Sequence, residues 1–332
     1  MDKKQLMDAF FDNQKPARVP VGFWHHFVSF HDHYGYEDKA VYDTVVSGQK
    51  RFIDEVDPDF LKIMSDGFFG HPAVCRKTIH TADDLAEIKS VGPDHPWITR
   101  QVAYAREICE YAGDGMYKLY NIFSPLQYIR LRFEEYDEDF KKFTALFREH
   151  PDAMIHAAGE IAKDVNCLVD RLFEETSMDG IYYSVQSVQD KETFTRERHD
   201  AVVRPLDLAV LDNIAAHAKR NMIHICGYFG YTNDLSWYRD YPVQAFNWAV
   251  YSENISVAEG KKIFDGKPVL GGFDNRPDTL LYTGSDEDIR REVHRILDEA
   301  GTAGVGLGAD CTIGDNVPVS RLRFIRRVAE EY

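Results

Sequence analysis

The sequence predicts an α/β protein built as one (β/α)8 TIM barrel over residues 1–332, with an N-terminal helical extension and long βα loops. Three observations carry this expectation. Eight short apolar runs recur along the chain, each bounded by turn residues or charges. A longer stretch with helical patterning follows each run. The 332 residues exceed the roughly 250 that such a barrel typically needs, and the surplus falls in an N-terminal helix and in loops.

The eight strand candidates are Val19-Pro20-Val21-Gly22-Phe23-Trp24, Phe60-Leu61-Lys62-Ile63-Met64, Tyr117-Lys118-Leu119-Tyr120-Asn121-Ile122, Gly180-Ile181-Tyr182-Tyr183, Met222-Ile223-His224-Ile225-Cys226, Ala245-Phe246-Asn247-Trp248, Pro268-Val269-Leu270-Gly271-Gly272 and Gly304-Val305-Gly306-Leu307-Gly308. Between them, Pro205 to Arg220 places Leu206, Ala209, Val210, Ile214 and Ala218 at helical spacing. Asp286 to Glu299 does the same with Ile289, Val293, Ile296 and Leu297. Both segments read as helices of the outer ring. Residues 67–117, with Gly-Pro and Pro-Trp punctuation, and the polar stretch 184–204 read as long loops. No linker composition marks a domain boundary.

Composition narrows the function. The chain is 44% hydrophobic, 28% charged and 13% aromatic, as expected of a globular protein. Lys and Arg number 39 against 55 Asp and Glu, a net charge of -16. Such a field repels phosphate backbones and anionic lipid, so neither nucleic acid nor a membrane is an expected partner. The start, Met1-Asp2-Lys3-Lys4-Gln5-Leu6, is a polar helix with no apolar secretion segment, which predicts a cytoplasmic protein. Five cysteines, Cys75, Cys109, Cys167, Cys226 and Cys311, are too sparse and odd a set for a disulfide framework.

The most informative local feature is His224-Ile225-Cys226 followed by Cys311. Strand alternation puts His224 and Cys226 on one face. Gly227 then ends the fifth strand, and Cys311 follows the eighth. Both points lie at carboxyl ends, where barrel active sites are built. One imidazole and two thiolates suit Zn²⁺, and three protein ligands leave the fourth position for substrate. The competing reading is a core cysteine near an unrelated histidine. Two thiolates would cancel the charge of the ion, which favours lowering the pKa of a thiol substrate over hydrolysis. Cys75, Cys109 and Cys167 have no ligand partner at useful spacing.

Arg18-Val19-Pro20-Val21, Ser65-Asp66, His224-Ile225-Cys226-Gly227 and the glycine-rich last strand leading to Val317-Pro318 together resemble the uroporphyrinogen decarboxylase superfamily over essentially the whole chain. That superfamily contains metal-free decarboxylases of porphyrin-like polyacids. It also contains zinc-dependent methyltransferases that move a methyl group between a corrinoid protein and a thiol such as coenzyme M. The motif of the methyltransferase branch is matched by His224, Cys226 and Cys311. The resemblance therefore implies Zn²⁺ as cofactor, a corrinoid protein carrying methylcobalamin as partner, and a small thiol or methylated molecule as substrate.

The decarboxylase alternative is weaker where substrate carboxylates would be held. Its arginine-rich segment is replaced by Trp24-His25-His26-Phe27-Val28-Ser29-Phe30, and its late glycine-histidine pair by Gly308-Ala309-Asp310-Cys311. Asp66 matches the catalytic aspartate of the decarboxylases and is the candidate pocket acid. A helix-capping role for it is the plain alternative.

His25, His26, Tyr182 and Asn247 are the candidate substrate-binding residues, with Tyr183, Trp248 and Asp274 also at strand ends. His25, His26, His31, Asp32 and His33 form a second polar cluster whose spacing fits no common metal site. Glu134, Glu135, Asp137, Glu138 and Asp139 read as a solvated helix start. Gly271-Gly272 and Gly304, Gly306 and Gly308 lack the order of a nucleotide-binding loop and read as relief of backbone crowding in a small barrel.

Overall fold

A computed structural model of the chain describes every residue except Met1, Phe30, His33, Arg76, 136–139, 186–190 and 228–231, and describes residues 134, 135 and 140 by their backbone alone. Eight strands form one sheet: β1 Val21–Gly22, β2 Phe60–Ile63, β3 Tyr117–Phe123, β4 Gly180–Val185, β5 Met222–Ile225, β6 Ala245–Trp248, β7 Val269–Phe273 and β8 Val305–Ala309. All pairings are parallel, in the order β1-β8-β7-β6-β5-β4-β3-β2. With helices between successive strands, this is the (β/α)8 barrel expected from the sequence.

The seam between β1 and β2 is closed by side-chain bonds. Asp59, fully buried, accepts the Val21 N–H at 2.8 Å and both terminal nitrogens of Arg18 at 2.6 Å. The first strand is shorter than the run Val19–Trp24 because Pro20 has no N–H and Asp59 takes that of Val21. Past its end, His25 makes an isolated bridge to Ile313.

The barrel interior is floored by the N-terminal helix Lys3–Phe11, which Asp2 and Gln5 cap reciprocally. Its Met7, Phe10 and Phe11 pack with Phe60, Tyr117, Leu119, Met222, Ala245 and Leu270. Each such fully buried apolar side chain contributes about 1.5–3 kcal/mol relative to exposure. Crowding explains the glycines of β8, as a Cβ on Gly308 would lie 2.9 Å from the Gly22 carbonyl oxygen, and one on Gly306 2.8 Å from Leu270.

The outer ring follows the periodicity with three changes. The helix expected from Pro205 spans Arg204–His217 and stops at Ala218, and Arg220 beyond it pairs with Asp8 and Asp12. The helix Asp286–Ala300 buries Ile289, Val293, Ile296 and Leu297, with a capping box at Ser285 and Asp288 and a stop at Gly301. The stretch 67–117 is not a plain loop. Pro96 is the first residue of a helix, Pro96–Ala112, whose Trp97 N–H is capped by His95, so the Pro-Trp pair marks a helix start.

Within 184–204, Arg196–Arg198 and His199–Val203 are helical and lead into Arg204–His217. The helix Pro125–Glu135 ends at the acidic run, of which 136–139 lie outside the described residues, as does His33. Among the described residues, no helix is long and apolar enough to cross a membrane.

Candidate metal centre

His224 points into the barrel from β5, Cys226 follows one residue past the strand, and Cys311 lies two residues past β8. Their ligand atoms all lie within 4.8 Å of one another, and the two sulfurs are 4.0 Å apart. Among the described residues this is the one group of three His, Cys, Asp or Glu side chains gathered closely enough to hold an ion.

The imidazole is held in one orientation. In-register pairing across three strands sets Ser184, His224 and Asn247 side by side. His224 Nδ1 donates to Asn247 Oδ1 at 2.5 Å, and the Tyr182 hydroxyl donates to the same oxygen at 2.7 Å. The Asn247 amide cannot be reversed without loss, because its Nδ2 donates to the carbonyls of Leu270 and Ala309 at 2.9 and 3.2 Å. The tautomer is thereby set with the proton on Nδ1 and a lone pair on Nε2. His224 Nε2 is buried and has no hydrogen-bond partner among the described residues. An orphaned buried nitrogen beside two thiols fits a soft or borderline divalent ion such as Zn²⁺.

The thiols share an electropositive setting. A hydrogen bond with Cys226, with the Lys62 ammonium nearby, holds the Cys311 thiol well below its ordinary range, against the opposing effect of burial. The Cys226 carbonyl accepts from Asn233 Nδ2 at 3.2 Å, and the Asn233 N–H donates to buried Glu253 at 2.6 Å. Next to Cys311, burial pushes the Asp310 carboxyl up to about 8; its Oδ2 accepts the Tyr251 N–H at 2.8 Å.

A cavity of about 210 Å³ opens onto the three ligands. Met64, Phe69, Phe123, Leu131 and Val185 give it apolar walls, while His26, Lys62, Asn121, Gln127, Ser184 and Thr312 supply polar groups. Asn121 donates to Ser65 Oγ at 2.9 Å and accepts from Ser184 Oγ at 3.0 Å, tying β2, β3 and β4 together beside the cavity.

The other candidates take distinct places. His26 lines the cavity, and its Nδ1 lies 2.9 Å from Asp66 Oδ1. Asp66 is buried behind it and also accepts the Phe27 N–H at 2.6 Å, so its carboxylate orients the loop after β1 and caps no helix. His25 faces away, its ring packed on Phe27 and Phe52. Tyr182 and Asn247 are fully buried and support His224, whose ring is stacked on that of Tyr182 at 5.8 Å. Asp274 is engaged by Arg276 at 2.6 Å.

No protein-family model matches the sequence, and no curated protein is significantly similar to it. Solved structures do match in shape. The chain is similar to a methyltransferase from Methanosarcina mazei over 100% of its length and 99% of that chain, with a TM-score of 0.74 and 13% identity. It is also similar to a B12-independent methionine synthase from Shewanella sp. W3-18-1, over 96% of this chain and 94% of that one, with a TM-score of 0.56 and 13% identity. At such identities the likeness is one of fold.

One charged residue in the cavity goes unnoticed in the sequence reading. Lys62, only 7% exposed, projects inward from β2 between two aromatic rings. Burial pushes its ammonium down to about 8, with Cys311, Asp66 and Cys226 acting in the opposite sense. A lysine in the centre of the apolar run Phe60–Met64 was the available signal.

Proposed function

We propose that the chain is a zinc-dependent methyltransferase that moves a methyl group between a corrinoid carried by a partner protein and a small thiol. One observation carries the reading: the orphaned, tautomer-fixed His224 Nε2 faces two thiols at the base of a small cavity in the barrel mouth. His224, Cys226 and Cys311 would hold the ion. When bound, zinc would lower the pKa of a thiol and keep it in its nucleophilic form.

The chain's own residues supply the rest. The apolar walls exclude water from the sulfur. His26, oriented by Asp66, accepts the proton that the thiol gives up and passes it outward, since its side chain is one-third exposed. The methyl source is a methylated corrinoid such as methylcobalamin, presented at the barrel mouth. A fold shared with a protein described as a methyltransferase supports the assignment. So does the cavity of about 210 Å³ beside the three ligands, which has room for a small thiol.

Metal analysis of protein purified without added zinc tests this. Wild type should carry close to one equivalent, and Cys226→Ala, Cys311→Ala and His224→Ala should each lose most of it. Thiol-dependent demethylation of methylcobalamin should follow metal content across the set. Less than about half an equivalent in wild type, or full retention in both cysteine variants, would sink the reading.

A further inference from the structure

Lys62 occupies a costly position. Its Nζ lies 4.1 Å from the centroid of the Tyr182 ring and 4.6 Å from that of the Trp24 ring, above the apolar floor formed by Phe60 and Leu119. Among the described residues its ammonium has neither a carboxylate within ion-pair distance nor a hydrogen-bond acceptor. An ammonium held this deep without an ion-pair partner is unfavourable, and the faces of two aromatic rings offset only part of that cost. The remainder calls for negative charge nearby. The titratable groups acting on Lys62 are Cys311 past β8, Asp66 past its own strand β2, and Cys226 past β5, and it lines the same cavity as His26 and His224.

The charge count gives this cation a task. A divalent ion with two thiolates and a neutral imidazole sums to zero. An anionic sulfur in the fourth position leaves one uncompensated negative charge between the apolar walls of Met64, Phe69, Phe123, Leu131 and Val185. We propose that Lys62 is a positioning cation whose ammonium balances that charge, so that the cavity takes an entering thiol as the thiolate. The inference rests on the metal-dependent reading above and adds a residue that neither holds the metal nor touches the reacting carbon. It also implies that the sulfur is the anionic part recognised here, with no second anion needed on the substrate.

The test uses zinc- and cobalt-loaded wild type, Lys62→Met and Lys62→Arg, with 2-mercaptoethanol, whose only ionisable group is its thiol, as the probe. Metal content is measured first. Binding of the probe is then followed by calorimetry on the zinc forms and by the sulfur-to-cobalt absorption of the cobalt forms across a pH series. Lys62→Met should keep its metal, bind the probe about tenfold more weakly at neutral pH and show its binding midpoint about one pH unit higher. Lys62→Arg should restore most of both. Unchanged affinity and midpoint in Lys62→Met would overturn the inference, as would an arginine variant as weak as the methionine one, or loss of metal from Lys62→Met. Lys62→Gln replaces the methionine variant if that protein does not fold. A wild type that binds no metal removes the metal-dependent reading itself, whereas a metal-loaded wild type indistinguishable from Lys62→Met removes the role of Lys62 alone.

Discussion

Asn247 Oδ1 accepts two hydrogen bonds, from His224 Nδ1 at 2.5 Å and from the Tyr182 hydroxyl at 2.7 Å. This single oxygen decides which imidazole nitrogen keeps its lone pair. Replacing it should loosen the ring and release the tautomer. Asn247→Ala is expected to weaken zinc affinity by about 10–100-fold, the usual effect of losing a partner that orients a ligand. Tyr182→Phe should cost less, since the His224 bond survives. Competition with a chromogenic chelator measures both, and equal affinity in wild type and Asn247→Ala would remove the orienting role.

His26 and Asp66 form the second dyad of the pocket, joined at 2.9 Å. If His26 takes the thiol proton, His26→Gln should slow methyl transfer by about 100-fold near neutral pH while leaving metal content intact. The deficit should shrink as pH rises, because the thiol then loses its proton to solvent. Asp66→Asn should show the same pH trend with a smaller loss. A pH-independent deficit would assign His26 to binding alone.

The barrel is legible in the sequence because each strand is a short apolar run with its own punctuation, and the His224–Cys226 pair is legible because alternation puts both on one face. Other parts depend on neighbours that no local pattern reveals. Asn247 reads as a pocket residue, yet register with β5 and β7 turns it into a support for His224. Asp66 sits at the mouth as expected, but the return of the first loop places His26 between it and the cavity. Pro96 reads as a loop breaker, whereas the same missing N–H suits the first turn of a helix. Lys62 is masked by its own apolar surroundings, which a sequence pattern absorbs as strand and physics does not.

Asp59 holds the seam of the barrel, where the sheet's backbone ladder is thinnest. Its buried carboxylate joins Arg18 in a two-pronged pair and accepts the Val21 N–H. Asp59→Ala would leave that N–H without its acceptor and the Arg18 guanidinium with only the Val19 carbonyl at 3.3 Å and Glu330 at 3.4 Å. Leaving the buried N–H unpaired and losing the two-pronged pair costs about 1–3 kcal/mol. Urea denaturation should show the loss, and the N-terminal segment should become sensitive to proteolysis. A loss under about 1 kcal/mol would mean that the seam does not depend on Asp59.

Asp207 gives the fold a pH dependence of predictable sign. It is 1% exposed, and the hydroxyls of Tyr183 and Tyr241 donate to it at 3.1 and 2.8 Å. Burial pushes its carboxyl up to about 7, with the Tyr241 and Tyr183 bonds and Arg204 acting in the opposite sense. Because the folded-state value lies above the unfolded value of about 3.9, the folded protein binds this proton more tightly. The contribution to stability is therefore complete below about pH 4, declines as pH rises through about 7, and is absent above it. At about 1.4 kcal/mol per unit of displacement, the full span is at most on the order of 4 kcal/mol. Unfolding free energies measured in urea between about pH 4.5 and about pH 8 should fall accordingly in wild type. Asp207→Asn, which cannot ionise but can accept from one tyrosine hydroxyl through its amide oxygen and donate to the other through its amide nitrogen, should flatten that fall, and an unchanged slope in the variant would show that the pH dependence arises elsewhere.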